Sequence, residues 1–514
     1  MSLPIVNELV SSMTTPMDRG RIKRKVKQFF RYVMLSHKWD KNEPLYQQVM
    51  HIAVYDLGQS PTHDKLQMFC RIVRDAGFHW AWSDTCCINK EDHFVLQEAL
   101  VAMFKWYRGS VMTIVYLRGV RSPSTLGELV RSVWNTRAWT LQEYIAAKVI
   151  CFYTEDWTPY LNLETTSNHK EASDIISEME KATGVSAQQL TGLRPGLSSI
   201  QEKLRLASTR HTTMVEDVAY SLLGIFSVAG ISAIYGEGEN ALGRLLAHIL
   251  AGSGDTSILA WTGVPGDFNS CLPAHITVFN RPATSHLPPP IEDAEMRKIT
   301  IGLHSAKLDL DLAMKLYNRI NELPTPWFAA SRMKLPCIAF ELPPLLPTRT
   351  DSGLVYRAET PVFGIVDIKT RQDLSQLDSL YLVHPWLDAL LGRQDMQSGV
   401  VVEYDVTLAS SLGLDDEDES DEEIEVDAWP RPGPKSHPRP APMETAPMGR
   451  EMRALRLVAR LRQPFGALLF TLASTRRRAV EYRRVAADNM IWVQIQENVS
   501  LTDLLDNVRT LDVL

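Results

Sequence analysis

Residues 32–39 have the sequence YVMLSHKW, in which an apolar run leads directly into a serine and a histidine. A short uninterrupted apolar run is typical of a strand that is buried on both faces of a parallel sheet. Three further strand-length runs follow, at residues 80–84, 111–117 and 149–153. Helical patterns separate them, so the first part of the chain predicts βαβ units, with helices on both faces of a parallel sheet.

The helices between these strands are predicted from the spacing of apolar residues. Residues 64–77 carry apolar side chains at helical intervals, and Gly77 stands where a helix would end. Residues 91–108 are the most periodic part of the chain, with apolar side chains at i, i+3, i+4 and i+7. A further helical stretch is predicted around residues 126–147.

The chain divides by composition and apolar pattern into several predicted regions. Its first 30 residues form an arm with a basic stretch, RIKRKVKQFFR, at its end. We predict an α/β core over residues 31–162 and a helical extension over residues 163–262. A β-rich domain is predicted for residues 263–405, with residues 451–514 as its returning part. Residues 406–450, which are acidic and then proline-rich, predict a disordered insertion.

Composition restricts the class of protein. The chain has 514 residues, a net charge of −7 and six irregularly spaced cysteines with no C-x-x-C pair. These features argue against a nucleic-acid partner and against a disulfide framework. No signal peptide and no apolar run long enough to span a membrane is evident, so we expect a cytoplasmic protein.

Three segments carry a resemblance to a known family. They are SHKW at residues 36–39, WSDTCCINK at residues 82–90 and RAWTLQE at residues 137–143. In this order and at these distances they resemble the fungal heterokaryon incompatibility (HET) domain. Asp40 stands where the family usually has Gly, and Ser83 replaces the usual apolar residue. Segments further on, to about residue 262, resemble a helical extension often seen in such proteins.

The HET domain is in turn similar to Toll/interleukin-receptor (TIR) domains, which implies a flavodoxin-like sheet. Some TIR domains cleave NAD at the bond between nicotinamide and ribose. In plant TIR domains the catalytic glutamate ends a Trp-Cys-Leu-x-Glu-Leu stretch, and residues 139–144 align with it, with Thr140 in place of the Cys. The resemblance therefore implies that Glu143 is the catalytic residue. It also implies that Ser36 and His37 border the nucleotide pocket.

The chemistry of the reaction suggests roles for further side chains. Ligands of open parallel sheets bind beyond the carboxyl ends of the strands, where Ser36, His37, Trp39 and Asp84 are expected to converge. A carboxylate can stabilise the positive charge that develops on ribose. Trp39 or Trp139 could stack on a ring, and His37 could donate to a phosphate or ribose oxygen. NAD would be a substrate, and no cofactor is expected.

Structural roles compete with each of these assignments. Glu143 could cap a helical turn or pair with Arg137, and Asp84 could cap the following helix. Cys86 and Cys87 have the character of packing thiols, although a Cys86–His37 hydrolase dyad is an alternative. The spacing of Cys86, Cys87 and His93 does not match a zinc site, so no metal is expected.

Three functional hypotheses follow. The first is a heterokaryon incompatibility module that triggers programmed cell death by NAD hydrolysis through Glu143, on self-association through its core. The second is a non-enzymatic scaffold that binds an incompatibility partner protein in allorecognition. A thiol hydrolase is the third class.

Overall fold

The computed structural model describes residues 19–228, 230–281, 293–305, 309–350, 353–377, 379–391, 449–476 and 479–514. The predicted acidic and proline-rich insertion lies outside these residues except for its last two. The chain divides into two compact units. The first contains residues 1–249 and 275–281, and the second contains residues 250–274 and 282–514. The division falls before the predicted domain boundary at residue 262.

A four-stranded parallel sheet forms the centre of the first unit. Its strands are β1 (Tyr32–His37), β2 (Trp80–Trp82), β3 (Met112–Leu117) and β4 (Ile150–Thr154). They are arranged in the order β2-β1-β3-β4, and all neighbours are parallel. The prediction of a parallel sheet is therefore confirmed, with each strand within a few residues of its expected position.

Helices cover both faces of this sheet. Along β3, Ile114 packs in a cluster with Val33 of β1, whereas Val115 packs in a second cluster with Phe152 of β4. Because neighbouring side chains of a strand point to opposite faces, apolar layers lie on both sides. This arrangement explains why the strands read as continuous apolar runs.

The two periodic helices begin at side chains that accept backbone hydrogen bonds. Ser60 accepts from the N–H of His63 at the start of helix Pro61–Asp75, and Asp92 accepts from Phe94 and Val95 at the start of helix His93–Gly109. The other helices that begin before residue 250 are Arg19–Phe29, Tyr46–Val49, Glu128–Arg131, Trp139–Ala146, Ser173–Thr183, Ala187–Gly192, Ile200–Ser208, Asp217–Tyr220 and Asn240–Ser253.

The helical stretch predicted around residues 126–147 forms as three separate segments. The chain forms helix Glu128–Arg131, a 3₁₀ turn at Trp134–Thr136 and helix Trp139–Ala146. Ser132 ends the first helix by donating its hydroxyl to the carbonyl of Leu129 at 2.7 Å. Apolar spacing alone does not reveal such a break, because the buried residues keep their helical intervals on either side of it.

The second unit is built on antiparallel β-structure with helices around it. Its strands are β5 (Trp327–Ala329), β6 (Arg332–Glu341), β7 (Leu346–Thr350), β8 (Gly353–Thr360), β9 (Gly364–Lys369), β10 (Leu380–His384), β11 (Phe465–Arg476), β12 (Ala479–Val485), β13 (Ile491–Val493) and β14 (Val508–Val513). Its helices are Asp293–Ser305, Leu310–Asn321, Leu387–Leu391, Arg450–Leu461 and Leu501–Asp506. The prediction of a β-rich second region is confirmed.

Five of these strands pair in a closed ring. The order is β10-β11-β12-β14-β6, and β6 pairs again with β10. Strand β14 lies between β12, to which it is parallel, and β6, to which it is antiparallel. The ring therefore combines strands that precede residue 391 with strands that follow residue 449. Strands β7, β8 and β9 form a separate antiparallel sheet.

Candidate functional site

The candidate site lies at the carboxyl edge of the parallel sheet in the first unit. Ser36 and His37 are the last two residues of β1, and Asp84 lies two residues beyond the end of β2. Glu143 comes from the middle of helix Trp139–Ala146. Because β1 is an interior strand, both of its last side chains are enclosed by neighbouring elements and are nearly inaccessible to solvent.

A buried chain of hydrogen bonds joins the strand to the helix. The Ser36 hydroxyl donates to the Oε2 atom of Glu143 in a short hydrogen bond. The same hydroxyl oxygen accepts a hydrogen bond from the indole N–H of Trp134 at 2.7 Å. Trp134 lies in the 3₁₀ turn that interrupts the predicted helix, so this interruption positions the tryptophan. The Ser36 hydroxyl therefore donates one hydrogen bond, to Glu143, and accepts another, from Trp134.

Burial is the largest influence on the pKa of the Glu143 carboxyl. The residue is 4% exposed. Burial, with a smaller contribution from the negative charge of Asp84, raises the pKa of its carboxyl to about 8. The hydrogen bond from Ser36 and the positive charges of Arg137 and Arg210 oppose this shift without cancelling it. At neutral pH most of the Glu143 side chains are therefore protonated.

Arg210 provides a buried positive charge near Glu143. Its guanidinium donates to the Thr140 hydroxyl at 2.9 Å, to the carbonyl of Arg137 at 3.0 Å and to the amide oxygen of Asn135 at 2.8 Å. Burial lowers the pKa of Arg210 to about 10, so the side chain stays charged at neutral pH. It ties the start of helix Trp139–Ala146 to the preceding turn and fixes the segment that carries Glu143.

His37 is a buried imidazole with no hydrogen bond among the described residues. Both ring nitrogens lack a partner, and Nε2 lies 3.7 Å from the Oε1 atom of Glu43. Burial, reinforced by the positive charges of Lys65, Lys90 and Arg137, holds the pKa of His37 well below its usual value. The ring is therefore neutral. An unpaired polar group at this depth costs free energy, and such groups often mark functional positions.

Glu43 is held by a lysine beneath the same edge. Lys65 is 3% exposed and forms a short ion pair with Glu43 and a second contact with Asp40, at 3.3 Å. Asp40 also pairs with Arg118. Sequence reasoning missed Glu43 and Lys65, because neither lies in a motif and a lysine in an amphipathic helix is usually exposed.

Trp39 and Asp84 form the more accessible part of the site. The Trp39 indole donates to the Oδ2 atom of Asp84 at 2.6 Å, and 42% of the tryptophan is exposed. The ammonium group of Lys90 lies 3.4 Å from the centre of the same indole ring. Burial raises the pKa of Asp84 to about 6, against the opposing charge of Lys90. The helix after β2 is capped by Asp92, so a capping role for Asp84 is excluded.

Trp139 belongs to a different set of contacts. A hydrogen bond from Trp139 lowers the pKa of Asp217, against a larger upward shift from burial. Within the described ranges, no hydrogen bond or ring contact joins Trp139 to Trp39, Asp84 or Ser36. The structure therefore brings Ser36, Glu143 and the unpredicted Trp134 together. It places His37, Trp39 and Asp84 nearby.

The geometry also bears on the Cys86–His37 alternative. No hydrogen bond joins the two side chains in the described residues, because His37 has no hydrogen-bond partner there and the Cys86 thiol faces the carbonyl of Ser83 at 3.9 Å. Among the residues that the structure describes, no group of three or more His, Cys, Asp and Glu side chains is arranged to hold a metal ion. In the same residues, no helix has the length and apolarity to cross a bilayer.

Part of the chain is similar to proteins of a known family. Residues 32–132 match the model of the family described as heterokaryon incompatibility protein (HET). The chain is 35% identical over 232 residues to the vegetative incompatibility protein HET-E-1 of Podospora anserina. The match covers 42% of this chain and 16% of that protein, so the chain spans about a sixth of its relative. No solved structure matches. Residues 32–132 are therefore similar to the HET domain, and they include Ser36, His37, Trp39 and Asp84, whereas Glu143 lies beyond them.

Proposed function

We propose that this chain acts in heterokaryon incompatibility as a cytoplasmic signalling module that triggers cell death. The proposal rests on the family match and on the similarity to a vegetative incompatibility protein. The strand order β2-β1-β3-β4 supports a TIR-like relationship, because flavodoxin-like sheets begin with the same order. The effect on the cell would come from the first unit.

We further propose that Glu143 cleaves NAD in this module. The observation that carries this proposal is the pairing of Ser36 with Glu143 at the sheet edge where ligands of such folds bind. Water would attack the ribose carbon as its bond to the nicotinamide nitrogen breaks, which yields nicotinamide, ADP-ribose and a proton. Ionised Glu143 would stabilise the positive charge that develops on the ribose.

The raised pKa of Glu143 fits this role in a defined way. A protonated carboxyl cannot stabilise a cation, so the group must lose its proton when the substrate binds. The positively charged nicotinamide ring of NAD would itself lower the pKa of a neighbouring carboxyl. Entry of the ring would also require the Ser36–Glu143 contact to open, because Glu143 is almost inaccessible when that contact is made.

NAD consumption by the purified full-length chain tests the proposal. We expect NAD loss and nicotinamide release by the natural chain, with a rate that increases from pH 6 to pH 9, and no loss by Glu143→Gln. Glu178→Gln is the matched control, because Glu178 is also buried and hydrogen-bonded but lies away from the site, against Tyr160. A Glu143→Gln chain that consumes NAD at the natural rate would contradict the catalytic assignment.

A second candidate function, a non-enzymatic module that acts by self-association, is favoured by an exposed face of helix His93–Gly109. Phe94 is 71% exposed and Val101 is 49% exposed on this face. An open groove of about 590 Å³ runs beside it, lined by Gln97, Glu98, Val101, Ala102, Lys105, Trp106 and the segment Gly230–Ser232. Exposed apolar surface of this kind marks interaction sites.

The charges on this helix indicate a second copy of the chain as the occupant. Glu98 and Lys105 lie two turns apart on the exposed face, on either side of Val101. In the described part of the chain neither forms an ion pair. If two copies pack antiparallel about a twofold axis, Glu98 of each copy meets Lys105 of the other, and the valines meet at the axis.

Charge exchange tests this candidate. Lys105→Glu should weaken self-association in sedimentation experiments about tenfold, since two attractive contacts become repulsive. The double variant Glu98→Lys, Lys105→Glu should restore it, because the pairs are re-formed with their signs exchanged. Failure of the double variant to recover would exclude this pairing. Toxicity in fungal cells that depends on association but not on Glu143 would favour the scaffold over the enzyme.

A further inference from the structure

Two adjacent cysteines have no part in either proposed function. Cys86 and Cys87 lie in the turn that follows β2. Among the cysteines, all of which are free, Cys87 is exposed and Cys86 is buried. A third thiol, that of the partly buried Cys70, contributes to raising the pKa of Cys86, and Cys87 contributes to raising the pKa of Cys70.

The backbone of Ser83 contacts the sulfur atoms of both cysteines. The carbonyl of Ser83 accepts hydrogen bonds from the backbone N–H groups of Cys86, at 3.3 Å, and Cys87, at 2.8 Å, and this forms a tight turn. The N–H of Ser83 donates to the Sγ atom of Cys87 at 3.4 Å. The Cys86 thiol lies 3.9 Å from the carbonyl oxygen of the same residue. Both sulfur atoms therefore contact one residue.

The surroundings of the two thiols differ in a way that separates their chemistry. A hydrogen bond from the Cys86 thiol, assisted by the N–H of Ser83 and opposed by burial, lowers the pKa of Cys87. The same interaction, together with burial, raises the pKa of Cys86. The positive charge of Lys90 interacts with Cys86. An exposed cysteine whose sulfur accepts hydrogen bonds is in the environment of a reactive thiolate.

We propose that Cys87 is a peroxide-reactive thiol and that Cys86 resolves its oxidised form as a disulfide. In the first step the Cys87 thiolate attacks one oxygen of hydrogen peroxide. The O–O bond breaks, the other oxygen leaves as water after taking up a proton, and Cys87 becomes a sulfenic acid. In the second step the Cys86 sulfur attacks the sulfur of the sulfenic acid and a second water leaves. Two thiols are oxidised by two electrons and one peroxide is reduced.

A disulfide between neighbouring residues would be readily reversible. Consecutive Cα atoms are about 3.8 Å apart, below the usual separation for disulfide-bonded residues. The strain makes such a bond easier to reduce than an ordinary structural disulfide. Asp84, which accepts the hydrogen bond from Trp39, belongs to the same turn. The redox state of the thiols would therefore alter the segment that orients the exposed edge of the candidate site.

Mass spectrometry of the reduced full-length chain, treated with hydrogen peroxide, tests the proposal. We expect the loss of two hydrogens, recovery on addition of a dithiol, and a disulfide that maps to Cys86 and Cys87. Cys86→Ser should stop at a sulfenic acid on Cys87, which dimedone traps. Cys87→Ser should react at least about tenfold more slowly than the natural chain, because the reactive thiolate is gone.

Cys70→Ser is the matched control, since it removes the third thiol of the cluster and should leave the product unchanged. Serine is nearly isosteric with cysteine, and the far-ultraviolet circular dichroism of each variant reports whether it has folded. Short treatment of the natural chain with peroxide and dimedone provides a measurement that needs no substitution, with label expected on Cys87. A disulfide that joins Cys70 to Cys87, or label on another cysteine, would overturn the proposal.

Discussion

Glu143 in the first unit and Arg484 in the second are both buried ionisable residues, but their surroundings differ. Arg484 donates to the carbonyls of Leu259, at 3.0 Å, and Trp261, at 2.6 Å, and its guanidinium lies 3.9 Å from the centre of the Trp261 ring. Burial lowers its pKa to about 10, which leaves it charged at neutral pH. Glu143 has a pKa of about 8, and its partner Ser36 is followed in the chain by His37, whose ring has no hydrogen bond among the described residues.

Burial of a charged group therefore does not by itself identify a functional site. Arg484 donates to carbonyl oxygens of the backbone, which cannot rotate away as a hydroxyl can. Its protonation state does not change at physiological pH. Glu143 is held by a hydroxyl that can rotate, and its protonation state depends on small changes around it. A buried group that is incompletely satisfied and able to titrate is the better candidate for function.

Removal of the Arg484 guanidinium should cause the largest loss in the free energy of unfolding. Arg484→Met would leave the carbonyl oxygens of Leu259 and Trp261 without donors, at a cost of about 4 kcal/mol. The exposed neighbour Arg483→Met is the control and should cost less than about 0.5 kcal/mol. Hydrogen exchange, measured over β11 and β12, would locate the loss in the second unit. Equal effects of the two variants would show that the carbonyl contacts stabilise nothing.

Ser36→Ala should have the next largest effect. It removes the acceptor for Trp134 and the donor to Glu143, at a cost of about 2–3 kcal/mol. Ser110→Ala is the control, because that buried hydroxyl donates to the carbonyl of Tyr107 at 2.8 Å and lies 3.5 Å from the Thr113 hydroxyl, with no contact to Glu143 among the described residues. The hydrogen bond from Ser36 lowers the pKa of Glu143, so its loss should raise that pKa further. Urea denaturation and pH titration of the site measure the two effects.

Glu143→Gln should change how stability depends on pH. A carboxyl whose pKa is raised on folding favours the folded state below its unfolded pKa of about 4.5, and this contribution is lost as pH increases through about 8. Glutamine stays neutral, so the variant should be more stable than the natural chain at pH 9, by on the order of 2 kcal/mol. Thermal unfolding at pH 5 and pH 9 checks this. A natural chain with the same pH dependence as the variant would refute the raised pKa.

His37→Leu should have the smallest effect. The ring makes no hydrogen bond in the described residues, so an apolar side chain of similar size should change the free energy of unfolding by less than about 1 kcal/mol. If NAD is a substrate, the same variant should reduce its turnover. A loss of stability comparable with that of Ser36→Ala would mean that His37 has a structural role. The region around Glu143 would then resemble the region around Arg484, where the buried polar group stabilises the fold.

The sequence predicted the elements of the first unit because their signals are local. Continuous apolar runs identified all four strands of the parallel sheet, and apolar spacing identified the two long helices. The break at Ser132 was not predictable from spacing, since a side chain that bonds to a carbonyl one turn back leaves no mark on the apolar pattern. Trp134 lies just after that break, so its position beside Ser36 was not predictable from spacing either.

The residue pattern alone predicted the candidate site only where residues lie at or just beyond strand ends, and Glu143 was predicted from the family resemblance. Ser36, His37 and Asp84 follow apolar runs, so a parallel sheet places them at one edge. The contact between Ser36 and Glu143 joins positions 107 residues apart, and no local pattern encodes such a distance. Arg210 lay in a segment that resembles the family, yet its role in fixing the turn before Glu143 follows only from the fold.

The closed ring of strands has a consequence for how the protein is made. The last strand of the parallel sheet is complete at residue 154, so the sheet of the first unit can assemble while synthesis continues. The ring of the second unit cannot close until β14 has emerged, because that strand fills the position between β12 and β6. At about 5–20 residues per second, β6 waits with an unpaired edge for roughly ten to forty seconds. Chaperones that protect exposed strand edges would therefore be needed most by the second unit.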